Sequence, residues 1–222
     1  MVEGMKSVLE LLRSSFQVDL LIGTTEAFAE NNTLFQRPGI EWIGTNAEVL
    51  ASLGAFKANH TVMAVARMKP NAPFLVQTGE FVLALDDVRD PGNLGTILRI
   101  ADWYGITKVV TTEETADFYN PKTIQASMGS FTRVSYFETD LTRFLSEVEV
   151  DVYGAFLEGE NVHRVRWNSG GVVVIGSESH GISKEVEGLV TKRITIPRFG
   201  GAESLNAAIA TAVICDNIRR KK

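Results

Sequence analysis

The stretch FVLALDDVRDPGNLGTILRIADWYG (residues 81–105) decides the fold class. Its first five residues are all apolar, the pattern of a strand covered on both faces, and the run stops at Asp86 and Asp87. Pro91 and Gly92 turn the chain, and Leu94, Ile97, Leu98 and Ala101 then recur at helical spacing. A buried strand feeding straight into an amphipathic helix is the repeating unit of an α/β protein with a parallel sheet.

The same alternation continues on both sides. Downstream, strands are expected at 108–112, 132–137, 150–157, 172–177 and 193–197, with helices near 121–128, 139–147 and 183–190. A last helix is expected from about Ser204 to Arg220, with the stripe Leu205, Ala208, Ile209, Ala212 and Val213. Upstream, Met5, Val8, Leu9 and Leu12 predict a helix over 3–14. Strands follow at 18–23, 40–44 and 61–68, with a helix from Thr25 and another, capped by Thr45 or Asn46, running to about Leu53. This first part is expected to be a small α/β domain with a mostly parallel sheet. The composition of residues 71–80, with Pro, Gly and polar residues, marks a linker between domains at 1–70 and 81–222.

Bulk properties narrow the function classes. With 45% hydrophobic and 22% charged residues, the 222-residue chain has ordinary globular composition, and no apolar run approaches the ~18–20 residues of a membrane span. The start MVEGMKSVLELL lacks the features of a signal peptide, and Cys215 is the single cysteine, so a reduced, cytoplasmic setting is expected. Cys215 itself reads as a small buried hydrophobe. His60, His163 and His180 share no metal-ligand spacing, so no metal is expected, and His180 reads as a solvent-facing loop residue. The formal net charge of −5 means that a polyanionic partner must be met by a local cluster, the basic run at 219–222 being one, rather than by the field of the whole chain.

Ligands of open parallel sheets bind beyond the carboxyl ends of the strands, which singles out three loops. In 86–99, Pro91, Gly92 and Gly95 allow a tight entry to a helix that Asn93 can cap, its free N–H groups suit an anion, and Arg99 sits at the edge of the apolar stripe. In 172–183, an apolar strand runs into Gly176, Glu178 and Gly181, where backbone can approach a flat ligand, and Ser183 can cap the next helix. In 194–210, Pro197 ends a strand, Gly200 and Gly201 make a flexible loop, and Ser204 and Asn206 open a helix, with Ser204 an N-cap candidate. Trp103 and Tyr104, at the end of the first of these helices, read as packing residues. Neither a dinucleotide-binding glycine fingerprint nor a phosphate-binding P-loop is present, which argues against an oxidoreductase.

Taken together, the three loops resemble the signature motifs of the SPOUT superfamily, in its SpoU/TrmH branch of RNA 2′-O-ribose methyltransferases. Asn93, Gly95 and Arg99 match the first motif. Gly176, Glu178 and Gly181 match the second, and Ile196, Pro197, Ser204, Leu205 and Asn206 the third. The segment ASMGSFTRV (126–134) is similar to a small-residue turn between the first two motifs. Two features depart from the pattern: Arg198 stands where methionine is common, and only Met1 and Val2 precede Glu3-Gly4, where relatives often carry a basic stretch.

The resemblance implies an α/β fold: a small N-terminal α/β/α substrate-binding domain followed by a parallel-sheet methyltransferase domain tied in a trefoil knot. It implies S-adenosylmethionine (SAM) as cofactor, held around Gly176, Gly181, Ile196 and Leu205. An RNA substrate and a homodimer formed through the C-terminal domain are implied as well. The catalytic residues it implies are Arg99, Asn93, Glu178, Ser204 and Asn206, with Asn93 and Glu178 orienting Arg99. The rival on the same fold is an RNA-binding or assembly factor that has lost the chemistry, which the presence of Arg99, Glu178 and Asn206 disfavours.

Overall fold

The computed structural model describes residues 1–56 and 59–220. Lys221 and Lys222 of the basic run therefore lie outside the described residues. The N-terminal part contains β1 (Val2–Glu3), α1 (Met5–Leu12), β2 (Val18–Gly23), α2 (Thr25–Glu30), α3 (Asn32–Phe35), β3 (Glu41–Gly44), α4 (Ala47–Leu53) and β4 (Val62–Ala66). Its sheet has the order β1-β4-β2-β3. Only β2 and β3 run parallel, while β4 is antiparallel to both of its neighbours. The expectation of a mostly parallel sheet is thus corrected: hydrophobic period identifies a strand but carries no direction, and the two-residue β1 is too short to show a period.

The second part contains β5 (Phe81–Asp86), α5 (Pro91–Trp103), β6 (Lys108–Thr111), α6 (Pro121–Ser127), β7 (Ser135–Glu138), α7 (Leu141–Ser146), β8 (Val152–Asn161), β9 (Gly171–Gly176), α8 (Lys184–Glu187), β10 (Lys192–Thr195) and α9 (Ala207–Arg219). Its six strands are all parallel, in the order β10-β8-β9-β5-β6-β7. All six residues of β5 are buried. Phe81, Leu83 and Leu85 join the core on one face of the sheet, and Val82 and Ala84 the core on the other, as a sheet covered on both faces requires. Gly95 lies inside α5 rather than in its entry turn. A Cβ there would come within 2.4 Å of the Thr123 carbonyl oxygen, so this glycine lets α5 and α6 pack closely.

Residues 71–80 contain no strand or helix but are tied down. Asn71 exchanges two hydrogen bonds of 2.8 Å with the backbone of Glu138, and Phe74 packs edge-on against Phe137. The two sheets also share one hydrophobic core, into which Val8 and Leu11 of α1 and Leu94 and Ile97 of α5 all pack. Phe16 meets Phe131 at 5.7 Å between ring centroids, and Arg133 pairs with both Glu10 on α1 and Asp102 on α5. Among the described residues no helix is long and apolar enough to cross a membrane. Cys215 is buried, and burial pushes its thiol up to about 12, which keeps it protonated and unreactive at neutral pH.

Candidate active site

The site is assembled at the carboxyl ends of β5, β9 and β10. Asp86 and Gly176, the last residues of β5 and β9, lie side by side in the ladder, so the loops that follow leave the sheet at the same height. Asp86 is buried, and its carboxylate accepts the Ser183 N–H at 2.7 Å, anchoring the loop after β9 to the end of β5. Ser183 stands at the start of α8, but its side chain caps nothing there.

The N-cap of α5 is Asp90, not Asn93: the Asp90 carboxylate accepts the Asn93 N–H at 2.9 Å. The Lys122 ammonium, 2.8 Å away, and that N–H hold the Asp90 carboxyl below the usual carboxylate range. Capping by Asp90 leaves the Asn93 side chain free. Its amide N–H donates to Glu178, and its oxygen accepts from the Asn206 amide at 2.9 Å. Asn206, rather than Ser204, caps α9, its side-chain oxygen accepting the Ala208 and Ile209 N–H groups. Glu178, Asn93 and Asn206 thus form one hydrogen-bonded chain with one member from each loop.

The glycine motif after β9 is a closed turn. Ser177 and Gly181 exchange both backbone hydrogen bonds, at 3.1 and 3.0 Å, and Gly181 adopts the positive φ of +72° that closure requires. Next to it opens a cavity of about 840 Å³. Gly176, Gly181, Ile196, Leu205, Glu178 and Ser204, all singled out from the sequence, line it. Asn93 and Asn206 are not in that lining; they connect to it through Glu178. Arg99 stands apart from both. It is exposed on α5, six residues and therefore about 9 Å and 240° of helical turn beyond Asn93, and its side chain makes no hydrogen bond or ion pair among the described residues. Asn93 and Glu178 bind each other rather than orienting Arg99.

Sequence reasoning missed Asp90 and Asp86, although the polar end of the 81–88 strand was visible, and it missed Phe199. Trp103, expected to pack, is 83% exposed, because the helix stripe at Leu94, Ile97, Leu98 and Ala101 leaves it on the outer face. The stripe expected on the last helix is buried only in part, at Ala208 and against Val213. Ala207, Ala208, Thr211, Ile214 and Cys215 face the core, while Leu205 and Ile209 are 48% and 54% exposed.

The cavity suits SAM, a cationic nucleoside. Ile175, Ile194 and Ile196 would offer apolar surface to its purine, the turn at 176–181 and the loop at 196–205 would offer backbone groups, and Glu178 would add a carboxylate to the wall around a cationic ligand.

Residues 80–216 match the model of the SpoU rRNA Methylase family, and the chain belongs to that family of SAM-dependent RNA 2′-O-methyltransferases. Among proteins of similar sequence, the 23S rRNA (guanosine(2553)-2′-O)-methyltransferase RlmP of Bacillus subtilis is 27% identical over 99% of this chain and 88% of its own length. The 23S rRNA (guanosine-2′-O-)-methyltransferase RlmB of Bordetella pertussis is 29% identical over 79% of this chain and 77% of its own. Among solved structures, a TrmH-family protein of Porphyromonas gingivalis superposes with a TM-score of 0.87 at 35% identity, over 98% of this chain and 88% of that one. An AdoMet-bound rRNA methyltransferase of Sinorhizobium meliloti gives 0.86 at 29%, over 98% and 85%.

Removing the link and keeping the cap separates two jobs of Asn206. Asn206→Ala is expected to cost about 0.5–2 kcal/mol of stability through the lost cap, seen as a lower melting temperature, and to lower activity as well. Asn206→Asp keeps a capping oxygen but loses the N–H given to Asn93, so near-normal melting with low activity is expected. Full activity in that variant would show that the link to Asn93 is dispensable.

Proposed function

We propose that the chain methylates a ribose 2′-hydroxyl of large-subunit ribosomal RNA, working as a homodimer with the site residues in the roles below. The single observation that carries the catalytic reading is the Glu178–Asn93–Asn206 chain beside the cavity. Three loops distant in sequence meet there in polar contact, an arrangement a site that had lost its chemistry would have no reason to keep. Ribosomal RNA is favoured over transfer RNA because relatives matched over 99% and 79% of this chain are named as 23S rRNA methyltransferases.

SAM, when bound, supplies a methyl group already activated by the adjacent sulfonium. The protein therefore has to align the attacking oxygen and manage its proton and charge. Gly176, Gly181, Ile196 and Leu205 hold the cofactor through backbone and apolar contact. Glu178 and Asn93, locked together and braced by Asn206, fix the wall of the cavity that faces the substrate, and Ser204 shapes its mouth. Arg99 acts as a cation that holds an RNA phosphate and steadies the negative charge growing on the 2′-oxygen, the proton leaving to phosphate or water. The half-exposed Leu205 and Ile209 form the face that a second copy covers, burying apolar surface one chain leaves to solvent. Sedimentation at the mass of a single chain would remove the dimer from this reading.

The test is transfer of labelled methyl from SAM to ribosomal and transfer RNA from cells lacking the gene. Label is expected in the ribosomal fraction, resistant to alkaline cleavage because a 2′-O-methyl blocks attack on the neighbouring phosphate. Label on a base, or only in transfer RNA, overturns the proposal.

A further inference from the structure

We propose that Phe199 and Arg198 form a nucleotide clamp at the cavity mouth, the phenyl ring stacking on a base of the RNA substrate and the guanidinium holding an adjacent phosphate. The inference rests on the RNA-methylating reading above and assigns substrate-binding contacts that reading does not contain.

The cavity lining contains two phenyl rings, Phe156 and Phe199. Phe156 is occupied: the Arg193 guanidinium lies 3.7 Å from its centroid and is itself paired with Glu187. Phe199 is 97% exposed, the most exposed large apolar side chain among the described residues. A phenyl in water at the edge of a binding cavity gains when a flat partner covers it. A nucleoside whose ribose must enter the site brings that partner, since each base has a π-face and stacking tolerates any sequence.

Charge points the same way. The lining carries Glu158, Glu178, Glu187 and Glu203, a rim that repels RNA phosphate. Of the two arginines there, Arg193 is committed to Glu187, whereas Arg198 reaches only a backbone carbonyl, that of Ala202, at 3.3 Å. Arg198 is thus the guanidinium at this rim free to meet an anion, and it stands next to Phe199 in the chain. Gly200 and Gly201 follow, and a side chain at either would touch nothing, so the pair sits on a loop with room to close over a bound nucleotide.

The experiment compares wild type, Phe199→Ala, Phe199→Trp, Arg198→Ala and Arg198→Met in labelled methyl transfer to RNA. SAM affinity is read by calorimetry and mass by sedimentation. Phe199→Ala is expected to raise the KM for RNA about ten- to hundred-fold, with SAM affinity within two-fold and mass unchanged. Phe199→Trp is expected to restore it. Both Arg198 variants are expected to raise KM and flatten its dependence on salt. An unmoved KM in Phe199→Ala overturns the clamp. A matching loss of SAM affinity overturns it too, by making the ring a cofactor cover, and a change in mass does so by making it a contact between copies. An active wild type with any of these results sinks the clamp alone; an inert wild type sinks the RNA-methylating reading along with it.

Discussion

Arg99→Ala is expected to lower methyl transfer by about 10²–10³-fold or more, the usual cost of deleting one charge-stabilising group. SAM binding measured by calorimetry should stay within a few-fold. The separation follows from position: Arg99 lies on the exposed face of α5, outside the cavity lining, so cofactor contacts survive its loss. Loss of SAM binding with the fold intact would contradict the role given to it. Arg99→Lys distinguishes two ways in which an arginine could serve. As a general base, an arginine would have to lose its proton near neutrality, far below its ordinary range, at a cost of about 7 kcal/mol. A lysine gives up its proton more readily but cannot grip a phosphate with two parallel hydrogen bonds. Low activity in Arg99→Lys is therefore expected, and substantial activity would support the base instead.

Gly176→Ala carries the second large effect. A Cβ at this position would lie 2.1 Å from the Gly181 carbonyl carbon and 2.3 Å from the Ile182 nitrogen. Both are backbone atoms, so no rotamer change relieves the clash. The turn must open, and the paired hydrogen bonds between Ser177 and Gly181 are lost with it. Forcing a group into such a space costs about 1–3 kcal/mol, so melting should fall by several degrees. SAM affinity is expected to drop by about 100-fold, because the turn walls the cavity. This is the reverse of Arg99→Ala, which spares cofactor and removes chemistry. Normal SAM affinity in Gly176→Ala would take the turn out of the cofactor site.

Much of the fold was legible from patterning. The 18–23 strand falls on Val18–Gly23, and the helix capped by Asn46 falls on Ala47–Leu53. Buried apolar runs such as 81–85 and 172–175 announced a sheet covered on both faces, because a strand exposed on one side would alternate. Misreadings cluster at helix starts. Asp90, Asn93, Ser204 and Asn206 are all good capping residues, and the side chain that actually caps is settled by where the preceding strand delivers the chain. Asn93 and Asn206 illustrate the consequence. With Asp90 capping α5, the amide of Asn93 is released for Glu178 and Asn206, whereas Asn206 does both jobs at once.

The exposed faces were equally hidden from periodicity. The stripe through Leu205 and Ile209 was visible as a stripe, but a helix apolar on more than one side does not say which side its own chain covers.

The sequence by itself determined the α/β class, the strands and helices of both sheets apart from β1 and α3, and the three glycine-bearing loops, because hydrophobic period and turn chemistry are local properties. Only the tertiary structure decided that β4 runs against its neighbours, that the loops after β5, β9 and β10 meet through Glu178, Asn93 and Asn206, and that Phe199 stands bare at the cavity. Those facts depend on strand order and direction, which join residues 85 to 113 positions apart. No local signal encodes that distance; it is set by which buried faces find one another when the chain packs.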